Sequence, residues 1–289
     1  MRRRYRPRKS PKKETGVQKR KTQGEDFITP LDFFEMGGAE ELSGSSQEAA
    51  GPGSRRRQGV FVIGTDAGVG KTVAICALGA LLKEKGLEIA AMKPVECGGE
   101  DARIFIDAFA MTVGKRSISP YLFQKKMSPY FLFKTHKQTF DLKKVLAAYR
   151  NLCRDHDMTF IEGTGGLFDP ITDKATIADM VRELGLGVII VAPLRRGSMN
   201  HVIMTADRAR EKGIGVLGVL FTAANQSSSE SLYQAKMKAV KDMARVPVLG
   251  MVPFLKKGSQ EDIQEICRPK IDVNALLTRR EKRGEKESK

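Results

Sequence analysis

The chain has 289 residues, 41% of them hydrophobic, enough for a sizeable core in one large or two ordinary domains. Its formal charge of +16 reads as a nucleic-acid signal until it is located: residues 1–22 hold eleven Lys or Arg against Glu14, residues 279–289 add about +3, and only about +3 is left between them, ordinary for a soluble enzyme. The sequence contains no apolar run of roughly 18 residues, which excludes a membrane-spanning helix, and Cys76, Cys97, Cys153 and Cys267 form no close pair, which argues against a zinc cluster or disulfide scaffold and points to a reducing, cytoplasmic setting.

Residues 1–57 divide into the basic tail, a more acidic piece from Phe27 to Glu41, and a Gly/Ser/Pro patch ending in Arg55-Arg56-Arg57. Without sustained periodicity this extension is expected to be largely disordered. Two sharper readings stand beside that one: an organelle transit peptide, against which the lysines and prolines speak, and an arm that touches nucleic acid or an anionic surface.

The stretch from Gly59 to Thr72 organises the rest of the chain. Val60-Phe61-Val62-Ile63 reads as a buried strand, Gly64-Thr65-Asp66-Ala67-Gly68-Val69-Gly70 as a glycine-rich turn, and the apolar run from Val73 to Leu82 as a helix. Strand, loop and helix in this order aim backbone N–H groups at a phosphate. Gly70 lets the chain approach the anion, Lys71 reaches the outer phosphates, and the Thr72 hydroxyl can ligate magnesium. The usual first glycine is replaced by Thr65, with Gly64 one step earlier, so this is a variant phosphate loop. A glycine-rich turn that merely precedes a lysine is the bland alternative.

From here β and α patterns alternate, predicting an α/β fold over residues 58–278: a mostly parallel sheet covered by helices on both faces, of the P-loop NTPase type, with a charged tail at 279–289. A strand over Glu88–Met92 delivers Lys93 to the carboxyl edge of the sheet, where ligands of open α/β folds bind. There a lysine can stabilise a phosphoryl group in flight, or be only a surface lysine before a proline. Helices are expected over Asp101–Thr112 and Phe140–Arg154. A strand over Met158–Ile161 ends at Glu162-Gly163-Thr164-Gly165-Gly166, placing a carboxylate beside the phosphate loop, where it can hold magnesium, with glycines that leave room for substrate. As a structural alternative Glu162 is a cap or an ion-pair partner. Strands at Gly187–Ala192 and Gly215–Phe221 flank a helix that starts near Ser198, read as its N-cap, and runs to about Lys212. His201 in its first turns reads as a packed or capping histidine rather than a base. A last strand, Val246–Val252, ends at Pro253, and a weak helix and the Ile271–Leu277 segment close the fold.

Several motifs in one order resemble dethiobiotin synthetase: Gly64-Thr65-Asp66 with Val69-Gly70-Lys71-Thr72, Met92-Lys93-Pro94-Val95, Glu162-Gly163 with Gly165-Gly166, Gly197-Ser198-Met199-Asn200-His201, and Pro247-Val248-Leu249-Gly250 with Pro253. The resemblance runs from about Gly59 to Leu277. It implies an ATP- and magnesium-dependent ligase acting on a small diamino acid and carbon dioxide or bicarbonate, in which a carbamate of 7,8-diaminononanoate is phosphorylated and then closed to a cyclic urea. It further implies that Lys71 and Lys93 neutralise the phosphoryl and carbamate oxygens, and that Thr72, Asp101 and Glu162 hold Mg2+. Asp66, Ala67, Gly68, Val69, Gly70, Lys71 and Thr72, with Thr222 and Pro253, would surround the nucleotide. Cys97, Gly163, Gly165, Ser198, Met199 and Asn200 would contact substrate, the last three from the neighbouring subunit of a homodimer.

The chain departs from the family pattern at four places. Lys93 and Asp101 are only eight positions apart, a shorter connection than usual. Cys97 stands where Ser or Thr is common, Ala67 replaces a loop hydroxyl residue, and Phe221-Thr222 stands where Leu-Asn would read adenine, with Asn225 three residues later. A degenerate noncatalytic module, which would show no ATP-dependent magnesium requirement, is one alternative, and two catalytic classes remain beside the dethiobiotin-forming ligase. One is a related ATP-dependent ligase with another substrate. The other is a partition-type ATPase that binds DNA through its basic tail, although such ATPases carry a second lysine early in the loop and Gly64–Gly68 holds none.

Overall fold

The computed structural model describes residues 58–223, 230–254 and 260–277. The expected extension at 1–57, the tail at 279–289 and Asn225 lie outside the described residues. The elements run β1 (Gln58–Gly64), α1 (Lys71–Lys83), β2 (Ile89–Met92), β3 (Val95–Cys97), α2 (Asp101–Phe109), α3 (Lys115–Ile118), β4 (Tyr121–Phe123), α4 (Pro129–Thr135), α5 (Leu142–Asp155), β5 (Met158–Gly166), α6 (Ile177–Glu183), β6 (Val188–Pro193), α7 (Ser198–Glu211), β7 (Val216–Thr222), α8 (Glu230–Ala244), β8 (Val248–Val252) and α9 (Gln260–Cys267).

Six strands form one sheet in the order β2-β5-β1-β6-β7-β8, and every pairing in it is parallel. The central strands are continuous apolar runs, as burial on both faces requires: Val60 to Ile63 of β1 and Val188 to Ala192 of β6 are almost wholly inaccessible. Helix α1 is buried on nearly every side from Ala74 to Leu82 and packs between β1, β2 and α2, which ties the phosphate loop to the core. All six carboxyl ends lie on one edge, and β1, β2, β5, β6 and β7 each deliver a candidate site residue there.

Three expectations about the elements change. The segment after Lys93 is not a bare loop: β3 pairs in parallel with β4 as a small second sheet, packed on an aromatic cluster of Tyr121, Phe123, Phe133 and Phe140. β5 does not stop at Ile161, because its glycines still pair backbone to backbone, with Gly64 opposite Gly166 after a register shift, so Glu162 sits within the strand and opposite Val62. Helix α2 stops at Phe109, where Ala110 turns into a left-handed conformation (φ 53°). The other expected elements move by one or two residues at their ends, and helices α3, α4, α6 and α8 stand where none was expected.

Candidate active site

The phosphate loop is built first by its backbone. Thr65 N–H donates to the Val191 carbonyl at 2.9 Å, tying the start of the loop to β6. The Asp66 carboxylate accepts from Ala67 N–H at 2.7 Å. Gly70, at φ 88°, is the N-cap of α1 and offers no side chain to the helix, so the N–H groups of the first turn stay open toward the loop. Asp66, Ala67 and Gly68 are exposed, Gly70 is half-buried, and Val69 is buried beneath them. Lys71 folds back so that its ammonium donates to the Asp66 carbonyl at 3.3 Å. Burial holds the Lys71 ammonium below its ordinary pKa; Lys93 adds to that effect and Glu162 opposes it.

Lys93 arrives from β2 with its backbone fixed on both sides: its N–H donates to Ile118 O at 2.9 Å, and its carbonyl accepts from Ser119 Oγ at 2.6 Å. The Thr164 hydroxyl donates to Val95 O at 2.9 Å, pinning the same connection to β5. The ammonium of Lys93 then bridges two carboxylates, donating to Glu162 Oε1 at 2.8 Å and to Asp101 Oδ2. Asp101 Oδ1 accepts from the Thr72 hydroxyl at 3.1 Å. Phosphate loop, second strand, α2 and β5 therefore converge in one chain of contacts, Thr72 to Asp101 to Lys93 to Glu162.

Burial alone would lower the Lys93 pKa, but two carboxylates outweigh it and the net shift is upward. Glu162, only 2% exposed, is also raised: full burial dominates, Asp101 adds like charge, and Lys93 compensates only in part. Lys93 is thus raised by its two acids, and Glu162 by its own burial against the pull of Lys93.

The second oxygen of Glu162, Oε2, is buried and has no hydrogen-bond partner, an orphan that asks for a cation or donor. Among the described residues no three His, Cys, Asp or Glu side chains converge as a metal cluster. Two carboxylates and a hydroxyl beside a phosphate loop do match the all-oxygen set magnesium takes when nucleotide phosphates and water complete its shell.

The remaining expected residues fall into place unevenly. The Cys97 thiol is half-buried beside Lys93, Glu96 and Asp101, and burial pushes its pKa up to about 11. Protein, rather than open space, explains two glycines: a Cβ on Gly163 would lie 2.8 Å from the Phe61 ring, and one on Gly165 would strike the Asp169 carboxylate. Thr222 sits under the phosphate loop with its hydroxyl donating to Val69 O at 2.7 Å, so it braces the loop from below. Ser198 is not the N-cap of α7; Gly197 takes that place at φ 82°, and the buried Ser198 hydroxyl turns back to donate to Arg195 O at 2.7 Å. Met199 and His201 are half-buried and Asn200 is exposed. None of Ser198, Met199 and Asn200 shares a described hydrogen bond or ion pair with the Lys93 cluster. Pro253 is half-buried just past β8, next to the exposed ring of Phe254.

Two residues that sequence reasoning did not single out belong to the site. Asp169 accepts from Gly166 N–H at 2.8 Å and acts electrostatically on Lys71. Glu96 grips the start of α2. Only their acidity near motif residues marked them in the sequence.

A family model described as an AAA domain matches residues 58–262. The ATP-dependent dethiobiotin synthetase of Methanococcus vannielii is 35% identical over 211 residues, covering 73% of this chain and 100% of the relative. The chain belongs to the dethiobiotin synthetase family. Its enzyme class is accordingly that of an ATP-dependent ligase. Enzymes of the same name from Bacillus licheniformis and Thermodesulfovibrio yellowstonii are 28% and 26% identical, covering 79% and 77% of this chain and 100% and 99% of the relatives. The region matched by the family model contains every residue of the Thr72–Asp101–Lys93–Glu162 chain of contacts. No helix among the described residues is long and apolar enough to cross a membrane.

Proposed function

We propose that the protein makes dethiobiotin, in biotin biosynthesis, from 7,8-diaminononanoate, carbon dioxide and ATP. The observation that carries this reading is the meeting of Lys93 with Asp101, Glu162 and the phosphate-loop Thr72 in one buried network. One amine of the substrate takes up carbon dioxide to give a carbamate and a proton. A carbamate oxygen attacks the γ-phosphorus and ADP leaves, producing a mixed carbamic-phosphoric anhydride. The second amine then attacks the carbonyl carbon, inorganic phosphate departs, and the ring closes as a urea.

The chain's own part is positioning and charge neutralisation. Lys71, at the start of α1, balances charge on the transferred phosphoryl oxygens, and the free N–H groups behind Gly70 hold the phosphates. Lys93, placed where β2 ends, balances charge on the carbamate. Thr72, Asp101 and Glu162 would hold magnesium, which when bound shields the phosphate oxygens from one another. Cys97, next to Lys93, faces the reacting amine. The backbones of Gly163 and Gly165 line the substrate on the β5 side. The loop from Asp66 to Gly70, braced by Thr222, encloses the phosphates, with Pro253 toward the base.

Ser198, Met199 and Asn200 receive the substrate carboxylate from the other subunit of a homodimer. Residues 58–278 form the catalytic domain, with extensions at 1–57 and 279–289, and four free thiols suit a cytoplasmic enzyme.

The test is to supply 7,8-diaminononanoate, bicarbonate and magnesium with ATP, CTP or GTP in parallel, and to measure the cyclic urea by mass spectrometry beside released phosphate. Equal amounts of urea, nucleoside diphosphate and phosphate are expected. Nucleotide cleavage without any urea would overturn the reading and direct attention to another acceptor.

A further inference from the structure

Helix α2 begins in an unusual way. Its N-cap residue, Glu100, makes no side-chain hydrogen bond to the helix. The free N–H groups of Asp101 and Ala102 are taken instead by Glu96, upstream on β3: Oε1 accepts from Asp101 N at 2.7 Å and Oε2 from Ala102 N at 3.1 Å. Glu96 is 3% exposed, and both oxygens of its buried carboxylate are satisfied by this helix start. A charged acceptor at a helix N-terminus is favoured by the helix dipole and gives a stronger bond than a neutral cap. The short connection from Lys93 to Asp101 makes this possible. After Glu96 the chain turns back on itself so tightly that a Cβ on Gly99 would lie 3.1 Å from Glu96 Oε1 and 3.5 Å from Asp101 Oδ2.

The first residue of α2 is the one whose side chain reaches Thr72 and Lys93. We propose that Glu96 is a positioning residue: from β3 it fixes the first turn of α2 and so holds the Asp101 carboxylate against Lys93 and Thr72. Its catalytic consequence rests on the reading of Asp101 as a carboxylate of the magnesium site.

The experiment compares the full chain with Glu96→Ala, Glu96→Gln and Asp101→Asn. Two quantities are read: the magnesium concentration giving half-maximal turnover, and the rate at which the Lys93 amine is acylated in metal-free protein, measured by peptide mass spectrometry with Lys71 as internal reference. Removal of a group that orients a metal ligand costs roughly 10-fold or more in metal affinity. Glu96→Ala is therefore expected to raise the magnesium requirement about 10-fold while turnover at saturating magnesium falls less, and to speed Lys93 acylation several-fold as Asp101 swings away. Glu96→Gln, which keeps one acceptor, should fall between, and it carries the test if the alanine variant does not fold. A weakened helix start alone would lower the melting temperature and leave both readouts unmoved, and that result overturns the proposal. An unchanged magnesium requirement in Asp101→Asn removes the reading of Asp101 and with it the catalytic half of the inference. Unchanged Lys93 acylation in both Glu96 variants removes the positioning itself.

Discussion

Lys71 and Lys93 share a site but are held in opposite electrostatic conditions. Lys71 has a backbone carbonyl for company and is depressed by burial, whereas Lys93 is gripped by two acids. Removing either group that balances charge on a developing anion should lower turnover roughly 100-fold or more, measured as steady-state urea formation. Their effects on stability should differ. Lys93→Ala leaves Glu162 buried without its ion partner, a loss of about 3 kcal/mol, while Lys71→Ala strands no buried acid by itself. The deficit of Lys93→Ala also depends on pH. The folded-state pKa of Glu162 is already raised above 4.5, so folding favours its protonated form and stability from this group falls as pH rises above that value. Thermal melts of Lys93→Ala and the parent at pH 5 and pH 8 should show the larger gap at pH 8. Cys97 gives a third residue-scale test. A thiol is a poor hydrogen-bonding group, and replacing it by the hydroxyl common in the family restores a bond of about 1 kcal/mol, so Cys97→Ser should lower the KM for the diamine severalfold with little change in kcat.

At the scale of elements, the large sheet was legible in the sequence and the small one was not. Continuous apolar runs such as Val60 to Ile63 and Val188 to Ala192, short, rich in β-branched residues and preceded by glycine, read as strands buried on both faces, and the glycine-rich turn between β1 and α1 declares its own geometry. Three-residue strands carry no periodicity, so β3 and β4 show only in the fold, where the aromatic cluster beneath them holds them together. Lys93 comes to the site from the end of β2, Glu162 from within β5 and Asp101 from the first turn of α2, all at the carboxyl edge of the sheet. The hydroxyls were not legible, because a short polar side chain bonds whichever carbonyl the fold brings near. Ser198 turns backward to Arg195, and Thr222 goes to the phosphate loop rather than outward. This last contact predicts that Thr222→Val, nearly equal in shape, leaves Val69 O without its donor and loosens the loop. A lost bond of about 1 kcal/mol should raise the KM for ATP roughly fivefold while kcat moves less. Equilibrium binding of ATP to the variant checks this directly.

For the molecule as a whole, the charge that first suggests nucleic acid lies largely in residues 1–22, while every residue assigned to the site lies between Asp66 and Pro253. A chain lacking residues 1–57 should therefore keep its turnover within about twofold, whereas an ATPase driven through a DNA-binding tail would lose its salt-sensitive stimulation. Assembly is the larger question, because the proposed function takes Ser198, Met199 and Asn200 from a second copy of the chain. In a two-fold dimer each site would take Lys93 from one subunit and Asn200 from the other. Mixing Lys93→Ala chains with Asn200→Ala chains, after unfolding and refolding together, then places both defects in one site of every mixed dimer and leaves the other site intact. Random pairing makes half the dimers mixed, so about a quarter of the parent activity should return from two preparations that are each nearly inactive. If each site draws both residues from one chain, every site in the mixture carries one defect and no activity returns.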